Sequence, residues 1–303
     1  MSLKTIKGKI RSIEKTQTVT KAMEAVSAAK MRKAQERALS LRPYARSAFS
    51  ILSRLSGSID ALHHPLTTPG SGERELIILI MSDKGLAGNL NSAVLRKVQA
   101  YLADGNLSPT RVDFICIGKK GADFAAKRGF SILYSAQNDR DDVSLADLEA
   151  VQGLVAQTYE SGAYRRAVVV YQNFRSTFEC APTLRQMLPI SVEAVRDAVR
   201  GITPQKGKYA QKEDAKEIAA YTIEPDPERV LSLLMPYILS ILTYHALLES
   251  KASEHSARMV AMKNASEKAE ELGDASSLEY NKARQAAITG EVSEITSGIE
   301  AMN

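Results

Sequence analysis

Few residues in this 303-residue chain are spaced for chemistry, and the stretch that comes nearest is Ser82–Asn91, SDKGLAGNLN. It follows an apolar, strand-like run and opens a helical pattern, which is the setting of a phosphate-binding loop. Such a loop needs glycines that let backbone N–H groups close on a phosphate. Gly85 and Gly88 supply a single G-x-x-G, with no lysine of the G-x-x-x-x-G-K-[ST] type. A tight, structurally constrained turn fits these residues better than a nucleotide site. His63 and His64 adjoin Pro65 in a loop, while His245 and His255 lie ten residues apart on a helix. Neither pair has zinc-ligand spacing. Cys116 and Cys180 also lack ligand spacing and read as buried or incidental thiols in a reducing compartment. No Ser-His-Asp arrangement or carboxylate pair stands out. Catalytic, cofactor and metal residues are therefore not expected, and the chain does not read as an enzyme.

The elements around these residues explain more. From about Glu228 to Met302 the sequence reads as one helix, with no proline after Pro236. Apolar or small residues recur at three- and four-residue steps: Leu234, Ile238, Ile241, Leu248 and Ala252, then Met259, Met262, Ala265, Ala269 and Leu272, and finally Ile288, Val292, Ile295, Ile299 and Met302. Some 70 helical residues would run to about 110 Å, so the far end needs another long helix or another protein to pack on. The other end of the chain offers such a helix, from about Leu3 to Leu55. Leu3, Ile6, Ile10 and Ile13 form its seam, a polar patch at Thr16, Gln17, Thr18 and Thr20 interrupts it, and Val19, Met23 and Val26 resume it. Pro43 marks a kink or break. An antiparallel coiled coil of the two terminal helices buries both stripes.

Charge favours the same pairing. Residues 1–46 hold 12 Lys and Arg against 3 Glu, whereas residues 226–303 hold 7 basic against 12 acidic groups. The basic helix could track nucleic acid. Its cations are scattered around the circumference among aliphatic residues, with almost no aromatic residues for stacking, so a solvated or acid-facing helix is the better reading. No uninterrupted apolar run approaches a membrane span; the longest, Leu76–Met81, is strand-sized. The start, MSLKTIKGKI, lacks the apolar core of a secretory signal, and Ile6, Ile10 and Ile13 already belong to the helical pattern, so no removable leader is expected.

Between the helices, strand and helix signals alternate. Strands are expected at Glu75–Met81, Val112–Ile117, Ser131–Tyr134 and Ala167–Tyr171, with an edge strand within 174–190. Helices are expected up to Leu102, over Lys119–Lys127 and over Leu145–Glu160. This is the βαβ pattern of a small, Rossmann-like α/β domain with a largely parallel sheet. The expected organisation is an N-terminal coiled-coil helix at 1–57, a central α/β domain at 74–222 and a C-terminal coiled-coil helix at 226–303. Gly201–Ala215 reads as a polar loop or insertion.

Five words of sequence carry a resemblance beyond periodicity. They are TQTVTKAMEAVSAAKMRKAQ (Thr16–Gln35), SDKGLAGNLN (Ser82–Asn91), EPDPE (Glu224–Glu228), ASEHSARMVAMKNAS (Ala252–Ser266) and NKARQAAITGEVSEI (Asn281–Ile295). In this order, and spread over the whole chain, they resemble the γ subunit of F-type ATP synthases. The resemblance implies a central rotor stalk, one copy per complex and without catalysis of its own. Its coiled coil threads the hexamer of α and β subunits, and its α/β domain and foot rest on the membrane ring of c subunits beside the ε subunit. The implied location is peripheral, on the cytoplasmic face of a bacterial plasma membrane, and neither cofactor nor nucleic acid is implied. By position in the motifs, Lys21, Met23, Lys30 and Arg32 resemble the face turned to an acidic lever of a β subunit. Arg258, Arg284, Gln285 and Thr289 resemble positions that touch β-subunit loops, and Tyr221 and Glu224 resemble the foot above the c ring. Asn91 belongs to the central motif, while Ile288, Val292 and Ile295 belong to a tip seated in an apolar sleeve. The chain departs from the family's pattern at Ala87, usually Cys, at Asn89, usually Gly, and at Gly290 and Ile299 near the tip. It also lacks the paired cysteines that make chloroplast relatives redox-sensitive. The reading that competes with the rotor from another class is a coiled-coil adaptor binding nucleic acid.

Overall fold

The computed structural model describes residues 2–55, 64–191, 195 and 226–302. The expected insertion at Gly201–Ala215 and the foot residues Tyr221 and Glu224 lie outside the described residues. The chain forms two compact units, Met1–Ala28 with Arg258–Asn303, and Ala29–Ala257. Two helices, α1 (Leu3–Ser40) and α6 (Pro227–Met302), contribute to both. The break expected near Pro43 falls at Leu41, and α2 (Arg42–Leu55) resumes with Pro43 in its first turn. There a missing backbone N–H interrupts no helical bond.

The unit Ala29–Ala257 is built on a five-stranded sheet. Its strands are β1 (Arg74–Ile80), β2 (Val112–Ile117), β3 (Ser131–Ala136), β4 (Tyr164–Ser176) and β5 (Glu179–Leu188), in the order β3-β2-β1-β4-β5. The pairings among β3, β2, β1 and β4 are parallel, and β5 returns antiparallel beside β4 as a hairpin. Three connecting helices, α3 (Leu90–Asp104), α4 (Lys119–Lys127) and α5 (Glu149–Glu160), supply the crossovers. A short 3₁₀ turn at Ala146–Leu148 occupies the start of what the sequence suggested as one longer helix.

β1 is buried on both faces, as its unbroken apolar run requires, and alternate side chains enter different cores. Ile77 and Leu79 pack with Val94, Val98 and Leu102 of α3 and with Phe124 of α4. Leu76, Ile78 and Ile80 face α5, Leu41 at the helix break, the α2 residues Ala45, Ala48 and Leu52, and the stretch of α6 from Leu231 to Leu248. α6 is long enough, and over one 18-residue window apolar enough, to cross a membrane. Its strongest window is 67% buried inside the protein, as befits a core helix. Gly118 opens α4 at φ +110°, and a Cβ there would lie 2.0 Å from the Met81 carbonyl oxygen. Only glycine lets β2 turn across the end of β1 so closely.

In the other unit α1 and α6 pair as an antiparallel coiled coil. On α1 the buried or half-buried positions Leu3, Ile6, Ile10, Ile13, Gln17, Thr20, Glu24 and Ser27 follow one another in alternate steps of three and four, with Met23 and Ala28 half-buried beside them. On α6 the facing positions are Met262, Ser266, Ala269, Gly273, Ser276, Tyr280 and Ala283, with Ala265 half-buried beside them. This corrects three expectations. The polar patch does not interrupt the seam, because Gln17 and Thr20 are the seam. Val19 and Val26 point outward, 57% and 54% exposed, and Leu272 is 47% exposed, its place taken by Gly273. A coiled coil follows the 3.5-residue period, so residues one step off it face solvent however apolar they are. Thr20 remains satisfied by donating from Oγ1 to the Gln17 carbonyl at 3.0 Å. Small α6 residues allow close approach, and Ile13 Cγ2 sits 3.6 Å from where a Gly273 Cβ would stand.

Candidate functional site

The SDKGLAGNLN loop uses its polar groups on itself. The Ser82 hydroxyl donates to the Lys84 carbonyl at 2.8 Å, and Asn91 both accepts from the Ser82 N–H (3.3 Å) and donates to Ser82 Oγ (2.7 Å). Asp83 accepts from the N–H of Lys119 at 2.6 Å and of Asn138 at 2.7 Å. Asn138 Nδ2 donates to the Met81 carbonyl at 2.8 Å. One motif thus ties together the carboxyl ends of β1, β2 and β3, which is the constrained turn that the sequence favoured. Positive φ falls on Leu86 (62°) and Gly88 (56°), whereas Asn89 sits at φ −90°. The departure from glycine at Asn89 therefore imposes no strain, and Ala87, in place of the usual Cys, is a buried small residue.

In sheets of this kind ligands bind beyond the carboxyl ends of the strands. Here α6 lies across them. Tyr171 donates from its hydroxyl to Glu249 at 2.7 Å, Ser253 to the Gln172 carbonyl at 3.1 Å, and Lys251 Nζ to the Asn138 carbonyl at 3.1 Å. Ser256 bonds the Thr177 carbonyl in the β4–β5 turn. Burial pushes the Glu249 carboxyl up to about 7, against the pull of Arg185 and the Tyr171 hydrogen bond. Burial likewise pushes the Lys251 ammonium down, opposed by Glu254, Asp141, Asp83 and Asp139. The two helix histidines are buried and face carboxylates: His245 Nε2 lies 3.5 Å from Glu249, and His255 Nε2 lies 2.8 Å from Asp141. Among the described residues no group of three His, Cys, Asp or Glu is placed to hold a metal.

Most of the candidate contact residues lie on the two long helices. Lys21 is exposed, 4.0 Å from Glu270, with Gln17 donating to the same carboxylate at 3.1 Å. Met23 is half-buried and Arg32 is exposed. Lys30 pairs within the chain, with Asp141 at 2.6 Å, and Arg258 is buried. The side chain of Asn91 serves the turn. Contacts Ile13–Gly273 and Gln17–Glu270 set a register that puts Leu3 opposite Ala283, the last half-buried residue of α6. Beyond it Arg284, Gln285, Ile288, Thr289, Val292 and Ile295 are all exposed. At about 100° per residue they share one side of the helix, roughly a third of a turn from the seam. The Met23 zone lies about 20 residues of α6 away, roughly 30 Å along its axis, so the candidate contacts of this unit form two zones. Sequence reasoning missed Glu249, Lys251 and Asp141. A charged run on a helix ordinarily reads as a solvated face, and nothing local shows that α6 is buried all round from Tyr244 to Ser256.

Comparison with known proteins bears on these surfaces. A family model described as ATP synthase matches residues 2–302. The chain is 39% identical to the ATP synthase gamma chain of Cytophaga hutchinsonii, with 100% of this chain and 99% of the relative covered. It is 36% identical to that of Heliobacterium modesticaldum, with 99% of each covered. Its fold resembles a chain of the Euglena gracilis mitochondrial ATP synthase structure that holds F1 and the c ring. There the TM-score is 0.63 at 18% identity, covering 99% of this chain and 94% of that one. A chain from the central stalk and c ring of the Tetrahymena thermophila enzyme gives 0.58 at 24%, covering 82% of this chain and 99% of that one.

Proposed function

The chain belongs to the gamma-chain family of ATP synthases, and from that premise we propose how its surfaces divide the work of a rotor. A gamma chain is the non-catalytic, torque-transmitting subunit, associated peripherally with the membrane. The observation that carries the proposal is the bare end of α6: past Ala283, among the described residues, its side chains are exposed, and Ile288, Val292, Ile295 and Ile299 present an apolar stripe. A lone helix of that kind needs an enclosure. The enclosure is the sleeve formed by the α and β subunits, within which this tip turns as a bearing.

The second zone, around Lys21, Met23 and Arg32, faces the β subunits with a basic, partly apolar surface. A rod with unlike sides inside a threefold ring meets three β subunits in three different ways at once. Each orientation stabilises a different set of open and closed sites, so turning the rod drives them through release, binding and synthesis. The central α/β unit and the Tyr221–Glu224 foot meet the ε subunit and the c ring, with one copy per complex at the cytoplasmic face. Family membership replaces the nucleic-acid adaptor reading.

Met23→Lys tests the assignment. An added cation facing acidic groups strengthens one orientation over the others, and such differential stabilisation raises the barrier to turning. ATP-driven ion pumping per ATP hydrolysed is expected to fall more than assembly with α and β does. An unchanged pumping ratio would refute the placement of this face.

A further inference from the structure

Resting on the rotor reading, we infer that the segment Asn138–Val143, between β3 and α5, is the coupling that carries torque between the sheet and the two long helices, with Asp141 as its positioning residue. Side chains from both helices converge on this short segment. From α1, Lys30 Nζ reaches Asp141 Oδ2 at 2.6 Å and Arg37 Nη1 donates to the Asp141 carbonyl at 2.5 Å. From α6, His255 Nε2 reaches Asp141 Oδ1 at 2.8 Å, Lys251 Nζ donates to the Asn138 carbonyl at 3.1 Å, and the Tyr244 hydroxyl donates to the Val143 carbonyl at 2.9 Å. The segment is fastened at its other side to the sheet, through Asn138 to Asp83 and Met81.

The division of one carboxylate matters. Oδ2 serves α1 and Oδ1 serves α6, so rotation of the helix pair against the sheet, or slip of one helix past the other, must stretch one of the two bonds. The apolar core that α2 and the first part of α6 share with the sheet is held by burial, which has no direction of its own. Charge-assisted hydrogen bonds are short and directional, and these sit where both helices leave that core. Burial by itself would raise the Asp141 carboxyl, but Lys30 and His255 hold it below the ordinary value, so it stays ionised and keeps both bonds. Lys251 is 2% exposed, and burying a lysine side chain to reach one carbonyl is a placement that surface packing does not need.

The test uses the assembled enzyme with the α/β hexamer fixed and a probe on a cysteine introduced at Leu133, an exposed residue of β3, in a Cys180→Ser background. The readout is the angular variance of the probe during each dwell. Removing the charge from one partner roughly halves each bond, so Asp141→Asn is expected to raise that variance about twofold. Asp141→Glu restores it in part, and Lys30→Met with His255→Gln reproduces the increase while leaving the segment itself intact. Wild-type variance in fully assembled Asp141→Asn complexes would overturn the coupling. If Asp141→Asn does not assemble, the Lys30→Met, His255→Gln chain decides by the same criterion. A probe that never turns on the wild-type enzyme would refute the rotor reading instead. Hydrogen exchange of amides 29–38 and 249–256 in the intact chain then decides the brace: faster exchange in Asp141→Asn supports it, and equal exchange overturns it.

Discussion

Replacing Ile288 and Val292 with Asp is the most direct challenge to the bearing. Ile288, Val292, Ile295 and Ile299 are 49%, 57%, 63% and 58% exposed in the chain alone. Fully burying such a side chain stabilises by roughly 1.5–3 kcal/mol, so covering the exposed half of each contributes about 1 kcal/mol, or about 4 kcal/mol for the four. Two aspartates forfeit about half of that and set carboxylates against apolar surface, at several kcal/mol each if they are desolvated. Assembly with α and β subunits should therefore weaken by more than about a thousandfold. Deleting Thr296–Asn303 removes Ile299 from the stripe, about 1 kcal/mol, and should weaken assembly only about fivefold. The assay reconstitutes the complex across subunit concentrations and measures ATP turnover per assembled particle. A bearing needs a smooth apolar fit, because strong directional contacts would hold one angle. Turnover per particle should therefore survive the deletion. Fully assembled truncated complexes without turnover would make the tip a torque contact and refute the reasoning.

Glu249 should make stability depend on pH. Its folded carboxyl titrates near 7 against an ordinary 4.5, so stability is fully present below about pH 4.5 and is lost as pH rises through 7. The difference amounts to roughly 3 kcal/mol, and Glu249→Gln should be the more stable chain at pH 8 and about equal at pH 4.5, measured by thermal unfolding. Parallel profiles would mean that the carboxyl is not shifted. Gly290 stands in open space on the exposed end of α6, so Gly290→Ala should stabilise that helix by about 1 kcal/mol and slow its amide exchange. Loss of assembly in that variant would instead reveal a partner backbone packed against the glycine.

The sequence by itself determined the architecture. The terminal helices follow from their recurring three–four periodicity, and the parallel sheet follows from Leu76–Met81 and its alternation with helices, because both signals are local and repeat many times. It also determined that Ser82–Asn91 is a turn, since the missing lysine and second glycine pair are visible in the letters. Tertiary structure alone decided which residues complete the inner side of each helix. Val19, Val26 and Leu272 look like seam residues and are outside, while Gln17, Thr20 and Gly273 are inside. A coiled-coil interface obeys a period and a neighbour's shape, and hydrophobicity ranks residues without regard to either. The polar brace was still less legible. Asp141 lies in a loop, Lys30 on one helix and His255 on another, 111 and 114 residues away from it, respectively. Electrostatic partners have no sequence period, so no local pattern marks one surface carboxylate among many as the one that two helices share.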